Sequence, residues 1–305
     1  PELGESGGFQ WQHLAYPAQL AWKTRIVRQL LARVGHFASA PVLPTIGMPP
    51  TSDPWRYRTV AQFAVGGDGA IGFRRTASHE VLDMPACPLV HPALDVLYQR
   101  VRAWMLERWG AEASTIAERF TLRVAADPTV NGGSEHTGLV TIEARPGSAF
   151  DAVGGPEAVG EALLAAAPTV AGVVILGLPG GRGRVIVGQD ALYDRVLDRV
   201  FRISAGSFFQ VNAAQTPVLV AQAMAAARPR GHDWALDGYS GVGLFSLFLA
   251  DTVTHVHAIE SQPSAVADAR ASASINSITN ITVTEGVLER VLGGFCLLYT
   301  SPSPR

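Results

Sequence analysis

Cysteine, charge and long apolar runs are all scarce in this 305-residue chain. Two cysteines, Cys87 and Cys296, are too few for the disulfide framework of a small secreted scaffold, so we expect a reducing, cytoplasmic location. Charged residues make up 16%, and 24 bases nearly balance 26 acids, which excludes a basic tail protein and a disordered polyanion. The longest apolar stretches, near 170–178 and 244–250, fall far short of the roughly 20 residues that span a bilayer, so no membrane association is expected.

The residues that are abundant describe a globular but loop-rich protein. Apolar residues make up 48%, and there are 31 glycines and 20 prolines. At roughly 150 residues per domain, the length predicts about two domains. Lys23 is the single lysine among the 24 bases, and the arginines that make up the rest suit bidentate phosphate contacts. Codon bias explains the same preference equally well.

The first two thirds of the chain mix helix and strand patterns. Residues 14–34 place apolar side chains near a 3.6-residue period, which predicts an amphipathic helix, and the proline-rich stretch 39–54 indicates a linker. Two β-rich runs around the glycines at 66–69 predict a hairpin. Further segments complete the pattern of a mixed α+β unit: predicted strands at 121–124, 139–143, 173–176 and 184–187, and a predicted helix at 94–109.

Beyond residue 201 the pattern alternates strand and helix. Asn212 with Gln215 is a capping-box variant that predicts a helix over 213–227. The segments that follow are a strand at 234–237, a helix at 244–250, a strand at 255–259, a helix from Pro263 to Asn276 and a strand at 281–284. This order is the first half of a doubly wound sheet. Its first strand would leave an open apolar edge, which is an aggregation hazard.

A glycine turn after the strand at 234–237 carries the chemistry. Asp237 ends that strand, Gly241 and Gly243 lie in the turn, and Glu260 ends the next strand, where a carboxylate can accept hydrogen bonds from a ribose diol. The dinucleotide fingerprint requires Gly or Ala where this chain has Ser246. A carboxylate ahead of the glycines suits a cationic ligand, so S-adenosylmethionine, with its sulfonium and ammonium groups, fits better than NAD.

These motifs together resemble the RNA uracil-5-methyltransferase family. The resemblance rests on the Phe-Phe-Gln-Val-Asn run at 208–212, the Asp-Gly-Tyr-Ser-Gly-Val-Gly run at 237–243, and the Ile-Glu pair at 259–260. The Gly-Gly-Phe-Gln-Trp-Gln-His-Leu run at 7–14 resembles the cluster-binding and first-helix signature of the same family. The likeness extends from about residue 7 to residue 292.

The resemblance implies roles for six residues. Gln210, Tyr239 and Glu260 fall on positions that bind S-adenosylmethionine in the family, and Asp237, Gly241 and Gly243 shape the turn. It also implies the fold class: α/β, with an α+β central domain followed by a truncated doubly wound, Rossmann-like methyltransferase domain. The expected divisions are a cluster-segment remnant with the amphipathic helix (1–46), the central domain (47–200), the incomplete methyltransferase domain (201–292) and a non-native tail (293–305).

The family's reaction needs groups that we do not find in this sequence. A cysteine thiolate adds to carbon 6 of uracil, carbon 5 takes the methyl group, and a carboxylate base removes the carbon-5 proton. We expect that nucleophile and base beyond residue 292, so we predict an inactive fragment with no catalytic residue of its own; Cys296 comes too early to be the nucleophile. Some family members hold an iron-sulfur cluster on four cysteines; Ser6 and Phe9 occupy two of those places, so we predict no cluster. Cys87 is then expected to be a buried small apolar residue.

RNA is the expected partner, ribosomal RNA in preference to transfer RNA, and no protein partner is predicted. Arg56, Arg58, Arg74 and Arg75 form the nearest approach to a basic patch, although a solvated arginine face fits them as well. Two alternatives stay open. One is a noncatalytic RNA- or cofactor-binding module, and the other is an NAD-dependent oxidoreductase, which Ser246 disfavours.

Overall fold

A computed structural model describes Phe9, residues 11–178 and residues 183–295 of the chain. Within these ranges the fold is mixed α/β, with sheets of seven, two and three strands. The expected α/β fold class is confirmed. Among the described helices, none combines the length and the apolar character needed to cross a bilayer.

The largest sheet occupies the first two thirds of the described chain. Its strands are β1 (Val60–Val65), β2 (Ile71–Arg74), β3 (Val81–Asp83), β4 (Ala117–Val124), β5 (Gly138–Ala144), β6 (Val170–Leu178) and β7 (Gly183–Gly188). They lie in the order β3-β2-β1-β4-β5-β6-β7. β5 and β6 are parallel, whereas the other neighbours are antiparallel.

Helices accompany this sheet, namely α1 (Tyr16–Arg33), α2 (Pro92–Arg108), α3 (Ala113–Ile116) and α4 (Pro156–Ala166). α2 begins at Pro92, which suits the first helical position, and His91 Nδ1 accepts a hydrogen bond from Ala93 N at 3.3 Å. α2 packs on β4, and α4 packs on β6 and β7. No side chain of α1 is fully buried.

The core between α2 and the sheet is aromatic. The rings of Phe63 and Tyr98 stack with centroids 3.9 Å apart. The Tyr98 hydroxyl also lies 2.8 Å from Ile71 O and 2.5 Å from Met84 O. Burial raises the pKa of Tyr98 far above its usual range, so the hydroxyl stays protonated. This core joins α2 to the β1–β2 hairpin.

The predicted hairpin is confirmed, and its turn requires glycine. β1 and β2 pair antiparallel, and Gly66 N donates to Ala70 O at 2.8 Å. Gly69 has φ of +83°, and a Cβ there would lie 2.4 Å from Gly110 O. Both the backbone conformation and the close approach of another chain segment therefore exclude a side chain.

A small β-ribbon and a parallel sheet follow. The ribbon consists of β8 (Ala191–Val196) and β9 (Arg199–Ser204), and the later elements are α5 (Thr216–Ala227), β10 (Trp234–Gly238), α6 (Leu244–Leu249), β11 (His255–Glu260), α7 (Pro263–Ile275), β12 (Ile281–Glu285) and α8 (Leu288–Phe295). β10, β11 and β12 are parallel, in that order, so β10 lies at an edge as expected. Asp237 pairs with Ala258, and Glu260 pairs with Glu285.

Several local predictions need correction or lie outside the description. The predicted start of the helix needs correction, because α5 begins at Thr216. The first hydrogen bond of the predicted capping box is present, since Asn212 Oδ1 accepts from Gln215 N at 3.1 Å, but the Gln215 side chain donates to Ile46 O at 3.4 Å instead of closing the box. β3, β8, β9 and α4 had no counterpart among the predictions.

α8 continues to Phe295, past the expected start of the tail at Gly293. Ser6, Cys296 and the rest of 296–305 lie outside the described residues. The division into domains stays a prediction.

The expectation for Cys87 is confirmed. Its side chain is buried, and burial raises the pKa of the thiol above its ordinary value. Asp95 Oδ1 accepts a hydrogen bond from the backbone nitrogen of Cys87 at 3.1 Å. A buried thiol that resists ionisation is a packing residue and a poor nucleophile.

Candidate functional site

The turn after β10 contains residues in the left-handed region of backbone conformation. Gly241 and Gly243 have φ of +56° and +87°, and Tyr239 has φ of +58°. A Cβ on Gly243 would lie 3.0 Å from Leu247 Cδ1, whereas one on Gly241 would meet no described atom within 4 Å. The backbone conformation explains both glycines, and the space beside Gly241 is open.

Backbone hydrogen bonds hold this turn between β11 and α6. Ser240 N donates to Ile259 O at 3.0 Å, and Gly243 N donates to Ser240 O at 2.9 Å. Leu247 N then donates to Gly243 O at 3.1 Å, which starts α6. The turn therefore has a defined shape at the carboxyl ends of β10 and β11, where doubly wound sheets bind their ligands.

Glu260 points into this turn from the end of β11. Its Oε2 accepts a hydrogen bond from Gly241 N at 2.9 Å. Its Oε1 accepts from Ser261 N at 2.7 Å and from Gln262 N at 2.8 Å. Because each carboxylate oxygen has two lone pairs, the half-buried side chain keeps the capacity to accept a hydroxyl from a ligand.

Asp237 lies beside the same turn and is held by Ser246 of α6. Ser246 is buried, and its Oγ donates to Asp237 Oδ2 at 2.6 Å. Burial raises the pKa of Asp237 above its ordinary value, hydrogen bonds from Ser246 oppose that rise, and the charge of Glu260 adds to it. Two carboxylates thus approach one turn from neighbouring strands.

Tyr239 stands on the rim of the turn. Its side chain is 65% exposed, and its hydroxyl donates to the Glu289 carboxylate of α8. This hydrogen bond raises the pKa of Tyr239 and lowers the pKa of Glu289. A Cβ on Gly238 would lie 2.8 Å from Leu288 Cδ2, so α8 packs closely over the end of β10.

Ser240 presents a polar atom with no partner in the described part of the chain. Its Oγ is buried and makes no hydrogen bond there. Buried hydroxyls in folded proteins are nearly always hydrogen-bonded. A ligand bound beside the turn can therefore supply the hydrogen-bond partner of Ser240 Oγ.

Gln210 lies in a separate segment, between β9 and α5. Phe209 of that segment is buried against Phe201, with ring centroids 5.5 Å apart, while Phe208 is exposed. Gln210 is half-buried and lines a groove beside α5 together with Asn212 and Gln215. Among the described residues, no hydrogen bond joins Gln210 to Glu260. The structure therefore brings five of the six expected residues to the turn and leaves Gln210 on a neighbouring segment.

A large cleft opens between the seven-stranded sheet and the segment that contains Gln210. Its volume is about 1180 Å³. Gln262, whose nitrogen donates to Glu260, lies in its wall, so the cleft comes within two residues of the turn. The wall also carries bases and aromatic rings, namely Lys23, Arg58, Arg74, Arg75, Arg123, Trp11, Tyr57, Phe73 and Phe208. Three of the four arginines of the expected basic patch therefore face this cleft.

Sequence reasoning missed several polar residues of this region. From the sequence, Ser246 was noted only as a departure from the dinucleotide fingerprint. In the structure its hydroxyl donates a hydrogen bond to Asp237. Sequence reasoning also overlooked Asp268 of α7, which is buried and accepts a hydrogen bond from Ser207 Oγ at 2.5 Å. The sequence did contain a signal for Asp268. A carboxylate on the buried face of a helix requires hydrogen-bond partners.

Within Phe9, 11–178 and 183–295, no group of three or more His, Cys, Asp or Glu side chains is arranged to hold a metal ion. The absence of an iron-sulfur cluster stays a prediction, because Ser6 and Cys296 lie outside these residues.

Comparison with known proteins shows similarity to RNA methyltransferases. Residues 175–289 match the family model of the tRNA (uracil-5-)-methyltransferases. An uncharacterized RNA methyltransferase of Halalkalibacterium halodurans is 34% identical over 304 residues, which cover 96% of this chain and 64% of that relative. One from Staphylococcus aureus is 31% identical over 300 residues, covering 94% and 64%. The chain spans about two thirds of the length of these relatives.

A solved structure shares the fold. The tRNA (uracil-54, C5)-methyltransferase of Pyrococcus abyssi, in complex with S-adenosyl-L-homocysteine, matches with a TM-score of 0.65 and 20% identity. The match covers 92% of this chain and 65% of that one. The part that matches the uracil-5-methyltransferase family model runs from β6 to the start of α8, so it contains Gln210, the glycine turn and Glu260.

Proposed function

We propose that this chain binds S-adenosylmethionine at the glycine turn and contributes to the methylation of carbon 5 of a uridine in RNA. The observation that carries the proposal is the convergence of Asp237 and Glu260 on the turn between β10 and α6. No base occurs between Asp237 and Ser246 in the sequence. The turn is therefore an anionic environment, which attracts a sulfonium cation.

The same charge disfavours a dinucleotide. A pyrophosphate would approach the two carboxylates with like charge and would find no arginine or lysine in the turn to neutralise it. In addition, Glu260 Oε2 already accepts a hydrogen bond from Gly241 N, which is one of the backbone donors that a phosphate would need. These contacts support the methyl donor over NAD.

Each residue of the turn has a role in this proposal. Glu260 accepts a hydrogen bond from a ribose hydroxyl, Asp237 lies near the cationic end of the ligand, and Tyr239 borders the site from its rim. The open space beside Gly241 lets the ligand approach the backbone. Gln210 binds the same cofactor from the neighbouring segment. Bound S-adenosylmethionine supplies the electrophilic methyl group.

The cleft is the proposed place for RNA. Arg58, Arg74 and Arg75 supply positive charge for phosphates, and the exposed ring of Phe208 offers a surface for a base. A uridine has to leave its stack to reach the turn, and the cleft is large enough for a nucleotide. We propose ribosomal RNA as the substrate in preference to transfer RNA.

The nucleophile of the reaction is not among the described residues. Cys87 is buried, and its raised pKa keeps it protonated. We therefore propose that this chain by itself binds cofactor and RNA without turnover. This observation favours a second candidate function, a noncatalytic binding module. Release of the carbon-5 proton from tritiated uridine RNA, measured on the chain extended to the full length of its relatives, would distinguish the two, since a binding module releases none even then.

Isothermal titration tests the cofactor assignment. We expect S-adenosylhomocysteine to bind to the chain and NAD not to bind. Glu260→Gln removes the charge and one acceptor, and hydrogen bonds to a charged group contribute about 1.5–3 kcal/mol, so affinity should fall roughly 10- to 100-fold.

Asp233→Asn is the matched control. Asp233 precedes β10 at the opposite end of the same strand, where its side chain accepts from Arg230 N at 2.9 Å. This variant should bind S-adenosylhomocysteine like the parent. Equal loss in both variants, or binding of NAD by the parent, would overturn the assignment.

A further inference from the structure

The segment that carries Gln210 is fastened to α7 by one buried carboxylate. Asp268 is fully buried on α7. Its Oδ2 accepts from Ser204 N at 2.8 Å, from Ser204 Oγ at 2.7 Å and from Ser207 Oγ at 2.5 Å, and its Oδ1 accepts from Arg202. These donors lie at the end of β9 and in the turn that leads toward Gln210.

Ser207 is held from a second side by the large sheet. Arg123 of β4 donates from Nη2 to Ser207 O at 3.1 Å. Arg123 is buried, and burial lowers its pKa to about 10. Gly206 allows the close packing, because a Cβ there would lie 3.0 Å from Ser264 Oγ. The hydroxyl of Ser207 is thus bonded to α7 and its carbonyl to β4, so this one residue connects the two elements.

The segment is fixed again just beyond Gln210. Thr59 N donates to Val211 O at 2.9 Å, and Thr59 itself is buried. Between Ser207 and Val211, Phe209 is buried and Gln210 is half-buried. The backbone around Gln210 is therefore restrained at both ends, while its side chain makes no hydrogen bond to the described residues.

The helix that carries Asp268 also follows Glu260 directly. Glu260 Oε1 accepts from Gln262 N, and α7 begins at Pro263. Asp268 lies less than two helical turns further on. A rigid connection thus runs from Glu260 through α7 and Asp268 to Ser207, three residues before Gln210.

We infer that Asp268 is a positioning residue, which through Ser207 sets where Gln210 stands relative to Glu260 in the cofactor site. The inference rests on the proposed function, in which Gln210 and Glu260 bind the same cofactor. Asp268 and Ser207 do not touch that cofactor. Their effect on binding is transmitted entirely through Gln210.

A double-mutant cycle on S-adenosylhomocysteine affinity tests this route. Ser207→Ala removes only the hydroxyl, so the chain should still fold, and the Kd measured by titration should rise about tenfold, within the coupling range of contacting residues. Gln210→Ala should raise Kd by a similar factor. In the Gln210→Ala background, Ser207→Ala should change Kd by less than about twofold, because the side chain that it positions is gone.

Ser272→Ala is the matched control for lost stability. Ser272 is a buried serine about one turn further along α7, and its Oγ accepts from Arg202 N at 3.0 Å. Among the described residues, no hydrogen bond joins it to Ser207. We expect Ser272→Ala to lower the unfolding midpoint as Ser207→Ala does, but to leave Kd within about twofold of the parent.

The outcomes separate this inference from the proposed function. If Ser207→Ala leaves Kd unchanged, or raises it equally with and without Gln210, Asp268 does not act through Gln210 and the inference is wrong while the cofactor assignment stands. If the parent chain fails to bind S-adenosylhomocysteine, the proposed function fails first. If Gln210→Ala binds like the parent, Gln210 is not a cofactor ligand, and the inference fails with that role.

Discussion

At the scale of single residues, the chemistry of the turn depends on what each carboxylate contacts. Glu260 accepts hydrogen bonds from three backbone N–H groups. Burial raises the pKa of Asp237 despite the hydroxyl of Ser246. The surroundings of Asp237 therefore oppose its ionisation in the absence of a cationic ligand.

Asp237→Asn is predicted to stabilise the ligand-free chain. Because the pKa of Asp237 is higher in the folded than in the unfolded chain, the folded state binds the proton more tightly, and stability falls as pH rises from the unfolded-state pKa to the folded-state pKa. Above that window the penalty is complete, and Asn removes it. We expect urea denaturation to show a larger free energy of unfolding for the variant near pH 7, with a difference that shrinks toward pH 4.

The same variant should weaken binding of S-adenosylmethionine more than binding of S-adenosylhomocysteine, which lacks the sulfonium charge. Asp233→Asn serves as the control, since no such difference is expected at the far end of β10. For the stability prediction, a gain in the free energy of unfolding that does not depend on pH would show that the raised pKa of Asp237 is not its cause.

At the scale of elements, β10 is an edge strand with apolar side chains facing outward. Trp234 is 60% exposed and Leu236 is 47% exposed. The Trp234 ring lies 5.4 Å and 5.3 Å from the rings of His255 and His257, so the exposed face extends onto β11. An exposed apolar edge invites pairing with another strand.

Leu236→Lys is predicted to reduce self-association of the chain. A lysine on an edge strand opposes strand pairing by charge and by desolvation. Light scattering after size-exclusion chromatography should show a smaller aggregated fraction. Val96→Lys is the control, because Val96 is 49% exposed but lies on α2, away from any strand edge. Equal improvement in both variants would attribute the effect to added charge alone.

At the scale of the whole molecule, the cleft lies between the large sheet and the segment before α5. The chain has a formal charge of −2, so overall charge does not attract RNA. The bases in the cleft are locally concentrated: Arg58 precedes β1, and Arg74 and Arg75 lie at the end of β2. Binding of RNA therefore depends on this surface rather than on net charge.

The double variant Arg74→Ala with Arg75→Ala is predicted to weaken RNA binding. Loss of two phosphate contacts should lower the slope of log affinity against log salt by about 1.4–1.8. Fluorescence anisotropy with a ribosomal stem-loop and with a transfer RNA measures both the slope and the preferred RNA. Arg100→Ala with Arg108→Ala, both exposed on α2, is the control. An unchanged slope would place the RNA elsewhere, and tighter binding of transfer RNA would reverse the proposed preference.

Local pattern was enough to predict much of the second part of the fold. Strand and helix periods located β10, α6, β11, α7 and β12 within one or two residues. The carboxyl ends of parallel strands share one edge of a sheet, so Asp237 and Glu260 were expected to meet at the glycine turn. They do so because their positions depend on short chain segments and on regular geometry.

Only the tertiary structure decided the contacts between distant segments. Arg123 and Ser207 are 84 residues apart, and Ser207 and Asp268 are 61 apart, with no period linking them. The start of α5 also depended on such detail, since Asn212 stabilises a turn where the sequence favoured a helix. Periodicity reports which face of an element is apolar, whereas the partner of a buried polar group is chosen when the elements pack, because only then does it lose water and require a hydrogen bond.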